Sequence, residues 1–401
     1  MKHNINDLAI FGGKPAFLKE VHVGYPNIGD RQRLQERMND MLDRRWLTNN
    51  GPYVREFEDK IAKFIGVKHC IATCNATVAL ELVIRALNLS GEVILPSFTF
   101  VATAHALRWQ EIRPIFCDID TETYHIDPAK IEEAITPHTT GIIGVHLWGR
   151  ACDIDTLTDI AKRHDLKLLF DAAHVFSCSY KGRMIGSFGD VEIFSFHATK
   201  FVNTFEGGAI VTNDDDLARK IRLMKNFGFA GYDNVIYLGV NGKMSEASAA
   251  MGLTSLESMD KFVDTNRLNY NCYLHTLDGV PGVKMFRYYE NEKNNYQYIV
   301  IEIDKDVAKV SRDVLVDILM AENILARRYF YPGCHRMEPY RSEQPYTKLH
   351  LPNTEYIAAR VIVLPTGAAV TKDDINTICH IIKFTIEHGI EIFQGLEARK
   401  K

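Results

Sequence analysis

The stretch Ser195-Phe196-His197-Ala198-Thr199-Lys200, closing at Gly207-Gly208, decides how this chain is read. Before it, Val191 to Phe196 is apolar except for Glu192 and reads as a strand. After it, the two glycines turn the chain into a second strand-like run, Ala209 to Thr212. Lys200 sits in the small polar loop between them. A lysine at the mouth of two strands is either a surface charge or a buried amine with a chemical task. Alone, the stretch favours the surface charge, so the rest of the chain has to decide.

The bulk properties narrow the field. A chain of 401 residues is longer than one core usually fills, which predicts two unequal domains. The expected division is 1–265, an N-terminal arm with a large unit, and 266–401, a smaller C-terminal unit. Apolar content of 46% and charged content of 24% are those of an ordinary globular protein. A net charge of −4 supplies neither the basic field that nucleic acid attracts nor a polybasic membrane patch. Eight cysteines are scattered, and the pair Cys70 and Cys74 has no second pair at zinc-site spacing, so reduced thiols and no metal are expected. The N-terminus has no apolar signal core, and no run reaches the roughly 18 apolar residues of a membrane span. These features predict a cytoplasmic protein.

From residue 69 the pattern becomes regular. Strand-like Cys70–Cys74, Glu92–Leu95, Ile115–Asp118, Gly141–Leu147 and Leu166–Phe170 alternate with helical stretches. Those stretches are Val78–Leu87, Phe98–Trp109, one opening at Asp127-Pro128 and one after Asp153. Strands separated by helices predict an α/β fold with a mostly parallel central sheet, buried on both faces. The alternation stops near Asp278-Gly279. Beyond it lie a strand Tyr296–Ile303, a helix Arg312–Glu322, a loop 329–341, a strand Val361–Leu364 and a final helix from Asp373, a smaller α+β unit.

Ligands of open parallel sheets bind outside the carboxyl ends of the strands. After the first strand, Asn75-Ala76-Thr77 opens a helix whose free N–H groups suit a phosphate. After the second come Pro96-Ser97-Phe98-Thr99-Phe100, where an aromatic can stack on a flat ring. The fifth ends in Asp171, followed by His174; a carboxylate buried there needs a cation. Ser195 and Lys200 complete the set. Neither a G-x-G-x-x-G fingerprint nor a Walker sequence is present. Pyridoxal phosphate wants backbone donors for its phosphate, a stacking partner for its ring, a carboxylate for its pyridine nitrogen and a lysine for a Schiff base.

The residues Trp46-Leu47-Thr48-Asn49-Asn50-Gly51-Pro52, Asp171-Ala172-Ala173-His174, Ser195 to Lys200 and Asn241-Gly242-Lys243-Met244-Ser245-Glu246 resemble those of the DegT/StrS family of sugar-nucleotide aminotransferases. That family belongs to the fold-type I pyridoxal phosphate enzymes, and the resemblance covers nearly the whole chain. Ala72 to Thr77, Gly144 to Arg150, Lys243 to Ser255 and Tyr331 to His335 are most similar to members that aminate C4 of dTDP-4-keto-6-deoxyglucose.

The resemblance implies the roles of the individual residues. Lys200 is the Schiff-base lysine and proton shuttle, Asp171 pairs with the pyridine nitrogen, and Phe100 stacks on the ring. Ala76, Thr77 and Ser195 hold the phosphate, joined by Asn241 from a neighbouring subunit, so the expected unit is a homodimer with shared sites. His174 stands near the ring hydroxyl, where many members carry Gln. L-glutamate is the implied amino donor. The rival readings are a sugar aminotransferase for a 3-keto or a GDP- or UDP-linked substrate, a sugar dehydratase, and a non-catalytic cofactor-binding protein. Related dehydratases carry His at the lysine position, so Lys200 favours transamination. Within the loop 329–341, Tyr331 and His335 are expected to border the sugar site.

Overall fold

The computed structural model describes residues 2–343, 346 and 349–399. Its centre is a seven-stranded sheet made of β1 (His69–Thr73), β2 (Glu92–Pro96), β3 (Arg113–Cys117), β4 (Thr139–Val145), β5 (Lys167–Asp171), β6 (Val191–Ser195) and β7 (Gly208–Thr212). The spatial order is β1-β7-β6-β5-β4-β2-β3. Only β7 runs against its neighbours, β1 and β6; the other pairings are parallel. Helices α1 (Arg31–Arg44), α2 (Pro52–Ile65), α3 (Ala76–Ala86), α4 (Val101–Arg108), α5 (Pro128–Ala134), α6 (Ile154–Arg163) and α7 (Asp215–Met224) accompany it. The mixed α/β fold with a largely parallel sheet is the one expected. Its strands are mostly apolar because both faces are covered: β2 and β7 are buried at every position.

Local chemistry sets the helix starts. Asn75, Asp127, Asp153 and Asp214 each accept a backbone N–H at the opening of α3, α5, α6 and α7, and Pro128 occupies the first turn of α5. The N-cap of α2 is Gly51, which has no side chain to offer. Glu246 substitutes from far along the chain, its carboxylate accepting the Tyr53 N–H at 2.9 Å and the Val54 N–H at 2.8 Å. That ties the Trp46–Pro52 stretch to the start of α8 (Glu246–Glu257).

The C-terminal segment builds a separate antiparallel sheet of β8 (Val283–Met285), β9 (Ile299–Ile303) and β10 (Val361–Leu364). Helices α9 (Met259–Leu277), α10 (Arg312–Ala321), α11 (Pro352–Ala358) and α12 (Lys372–Glu387) surround it, and α13 (Gly389–Arg399) follows the helix that the sequence reads as final. Two further expectations shift. The helix expected from Phe98 begins at Val101, because the chain bends from Ser97 to Thr99 and Phe100 is its extended N-cap, and the strand expected from Tyr296 begins at Ile299.

A division between residues 265 and 266 falls inside the 19-residue α9, which passes without a break from the end of α8 to the start of the small sheet. The N-terminal arm, grouped with the large unit by that division, bonds to it through Asn27, Phe201 and Asn203 and also to the C-terminal segment. The buried Glu322 accepts the Ala9 and Ala16 N–H groups, each at 2.7 Å, and pairs with the Lys2 amine at 2.9 Å. Val21 and His22 pair in parallel with Ile324 and Leu325. No helix among the described residues is long and apolar enough to cross a membrane.

Candidate active site

Asp171 closes β5, level with Val145 on one side and Ile193 on the other. It is 8% exposed, and both carboxylate oxygens are engaged. Oδ2 accepts the Thr103 hydroxyl at 2.8 Å, and Oδ1 accepts the Ala173 N–H at 3.1 Å. Two donors lower the cost of burying the charge without neutralising it.

The neutralising group lies on the loop after β6. Lys200 is half-buried, and its Nζ donates to the Tyr298 hydroxyl at 3.0 Å. Burial drives the amine down from the ordinary lysine range to about 8, with Asp171 pulling the other way. His174, 9% exposed, lies with its ring centre 4.4 Å from that of Tyr298 and 5.9 Å from that of Phe330. Burial first, and Lys200 second, hold the imidazole well below its usual range, so it is neutral near pH 7.

A second cluster lies at the ends of β1, β6 and β7. Asn75 accepts the Val78 N–H at 2.8 Å through its side chain, which satisfies the first turn of α3 beyond Ala76 and Thr77. The N–H groups of Ala76 and Thr77 donate to no group among the described residues. Gly208 faces Thr73 across one strand pairing and Ser195 across the other. A Cβ at Gly208 would stand 2.8 Å from the Ala76 nitrogen, so glycine is what keeps this cradle open. The half-buried Ser195 accepts only a long bond, 3.4 Å, from the His197 N–H.

Phe100 supplies a third element. It is 59% exposed although Phe98 and Thr99 beside it are buried, so one aromatic face is left clear where the chain leaves β2. Thr103 links it to the carboxylate: its hydroxyl reaches Asp171, and its N–H donates to the Phe100 carbonyl at 3.1 Å.

These residues fit pyridoxal phosphate. Free amides beside a side-chain-free strand position suit a phosphate, the clear face of Phe100 suits a ring, and Asp171 and Lys200 suit its nitrogen and its aldehyde. The geometry thus brings together Lys200, Asp171 and His174, gathers Ala76, Thr77 and Ser195, and leaves Phe100 open. Asn241 is exposed beside the end of β1, where the neighbouring Gly242 carbonyl accepts the Cys74 N–H at 2.9 Å. The Asn241 side chain joins neither cluster within the single chain.

His335 is not at the mouth of the site. It is fully buried, 2.7 Å from the Ser97 hydroxyl through Nδ1 and 3.0 Å from Glu355 through Nε2, and it holds its loop to the end of β2. Tyr331 is exposed, with the Arg312 guanidinium 4.8 Å from its ring centre. Sequence reasoning missed Tyr298, Phe330, Thr103 and Gly208. Thr103 carried a usable signal, being three residues after Phe100 and so on the same side of the first turn of α4. Tyr298 and Phe330 carried none, because they come from the small sheet and an irregular loop. Among the described residues no group of three His, Cys, Asp or Glu side chains is arranged to hold a metal ion.

Residues 29–383 match the DegT/DnrJ/EryC1/StrS aminotransferase family. The chain belongs to this family. The dTDP-4-amino-4,6-dideoxy-D-glucose transaminase of Escherichia coli is 37% identical over 350 residues, which are 86% of this chain and 94% of that protein. The GDP-perosamine synthase of Caulobacter vibrioides is 32% identical, over 90% of this chain and 97% of that one. Among solved structures, DesI in the presence of its TDP-sugar product superposes with a TM-score of 0.94 at 48% identity, covering 99% of this chain and all of the other. The DegT/DnrJ/EryC1/StrS chain described here is therefore a pyridoxal phosphate-dependent aminotransferase.

Proposed function

We propose that the chain transfers an amino group from L-glutamate to C4 of dTDP-4-keto-6-deoxy-D-glucose, giving the 4-amino-4,6-dideoxy sugar. The single observation that carries this reading is the Lys200 amine, held at a pKa of about 8 among Asp171, His174 and Tyr298. The C4 assignment draws its support from the 48% identity, over 99% of the chain, with a protein solved with its TDP-sugar product. A transaminase named for dTDP-4-amino-4,6-dideoxy-D-glucose supports it as well.

Bound pyridoxal phosphate supplies an aldehyde carbon that condenses with amines and a ring that accepts the electron pair left when a neighbouring C–H bond breaks. Ala76, Thr77 and Ser195 would hold its phosphate, Phe100 would cover its ring, Asp171 would serve its nitrogen, and His174 its hydroxyl. The other steps belong to the protein. Lys200 Nζ, neutral in a useful fraction near pH 8, would take the proton from the carbon that bears the donor's amino group and return it to the carbon on the other side of the amino nitrogen. The Asp171 carboxylate, charged and tied to Thr103 and Ala173, keeps a positive charge opposite it stable while electrons move. His174, neutral, adds a hydrogen-bonding edge without a competing charge.

The working unit in this reading is a cytoplasmic homodimer, with Asn241 reaching the phosphate of the partner subunit. The exposed position of Asn241 and the apolar exposure of Phe227, Phe229, Ile236 and Leu238 in the segment before it support that arrangement. The test is a product assay with dTDP-4-keto-6-deoxy-D-glucose and L-glutamate, with the mass and the configuration at C4 read directly. An amine at C3, or turnover confined to the GDP- or UDP-linked sugar, would overturn the substrate assignment.

A further inference from the structure

No step in the reading above uses the Tyr298 hydroxyl, yet it is the one hydrogen-bond partner of the Lys200 amine among the described residues. It reaches that amine from outside the large sheet, one residue before β9. Its backbone is clamped by Tyr288, whose hydroxyl donates to the Tyr298 carbonyl at 2.8 Å and accepts the Tyr298 N–H at 3.2 Å. Its ring lies tilted at 38° on the His174 imidazole. The phenol is thus fixed by contacts that do not involve Lys200, as expected of a group that positions the lysine rather than following it.

We propose that Tyr298 is a positioning residue for the reaction: its hydroxyl oxygen accepts one N–H of the free Lys200 amine and so turns the lone pair toward the reacting carbon. This rests on the reading of Lys200 as an amine that is released and recaptured in each half of the reaction. A neutral amine has two N–H donors and one lone pair. With one N–H taken by Tyr298, the lone pair points away from the phenol and is free to take a proton. Asp171 does not do this job here: its oxygens accept from Thr103 and Ala173, whereas the Lys200 amine donates to Tyr298.

The proton accounting is closed. The substrate C–H proton goes to Lys200 Nζ, makes it an ammonium, and leaves again to the carbon on the other side of the amino nitrogen. Tyr298 keeps its own proton throughout, since burial, with Tyr329, Tyr288 and Asp171 adding to it, raises the phenol well above its usual range. The charged and titratable groups facing Lys200 are Asp171 at the end of β5, His174 on the loop after it, and Tyr298 with Tyr288 and Tyr329 behind it.

An acceptor on an amine stabilises its ammonium form, so removing the hydroxyl should make Lys200 easier to deprotonate while leaving it less well aimed. The test is trace acetylation of the cofactor-free protein across its lysine titration, with the Lys200 peptide quantified by mass spectrometry, in wild type and Tyr298→Phe. The ring that packs on His174 is kept in that variant. The expected result is a split: Lys200 labels about threefold faster near neutral pH, while kcat falls about tenfold and KM for both substrates stays within about twofold. Tyr298 replaced by 3-fluorotyrosine, which keeps the fold and weakens the acceptor, should move the labelling the same way by less. An unchanged or slower labelling rate, or a kcat within about twofold of wild type, would overturn the proposal. The labelling uses no sugar substrate, so a failed C4 assignment would leave it standing and readable.

Discussion

The two clusters at the strand ends are built in different ways. The cradle at β1, β6 and β7 consists of backbone and an absent side chain: Ala76 and Thr77 amides, Gly208, and one small hydroxyl from Ser195. The centre at β5 consists of side chains only, with Asp171, His174, Lys200, Thr103 and Tyr298 each held by a named partner. The difference follows from the tasks. An anion that must only stay bound is served by fixed dipoles at a helix start, whereas a proton that must move needs groups whose charge can change. The cradle should therefore govern how tightly the cofactor is held, and the centre how fast the bound cofactor turns over.

Substitutions can break or sharpen that contrast. The largest effect is expected at the centre. Asp171→Ala should cost about 10² or more in kcat, as deleting another group that stabilises developing charge does, with the protein still folded. Turnover near wild type would take Asp171 out of the mechanism. A smaller effect of a different kind is expected in the cradle. Gly208→Ala places a methyl group 2.8 Å from the Ala76 nitrogen. It should weaken cofactor affinity about tenfold, with kcat at saturating cofactor close to wild type. A change in kcat alone would contradict the division of labour. The smallest catalytic effect is expected at His335→Gln, which lies outside both clusters. Breaking the buried Ser97–His335–Glu355 chain should cost about 2 kcal/mol of stability, read as a lower denaturant midpoint, with KM for the sugar little changed. A large rise in that KM with unaltered stability would return His335 to the substrate site.

Legibility in the sequence follows the same contrast. The parallel strands are mostly apolar and several are followed by Asn, Asp or Asp-Pro caps, so their ends, and the residues just after them, were visible from the pattern of the sequence. That is why Ala76, Thr77, Phe100, Asp171, His174, Ser195 and Lys200 were singled out before any geometry. The C-terminal half offered no such repeat. Tyr298 comes one residue before β9, and Phe330 from a loop without regular structure, so no spacing pointed either of them at Lys200. His335 misled for the converse reason. Its motif resembles a substrate-facing loop, but a neutral buried imidazole between Ser97 and Glu355 spends both ring nitrogens inside the protein. The break in alternation near Asp278 likewise marked the change of architecture but not the start of α9, which spans the expected boundary as one continuous helix.

The central claim, that Lys200 is the amine that carries the cofactor, has a direct measurement. The purified protein loaded with pyridoxal phosphate is reduced with borohydride, digested and mapped by mass spectrometry. The account predicts the phosphopyridoxyl mass on the peptide bearing Lys200, and loss of both that label and the visible absorption band in Lys200→Ala. The label on another lysine, or a normal band in Lys200→Ala, would contradict it.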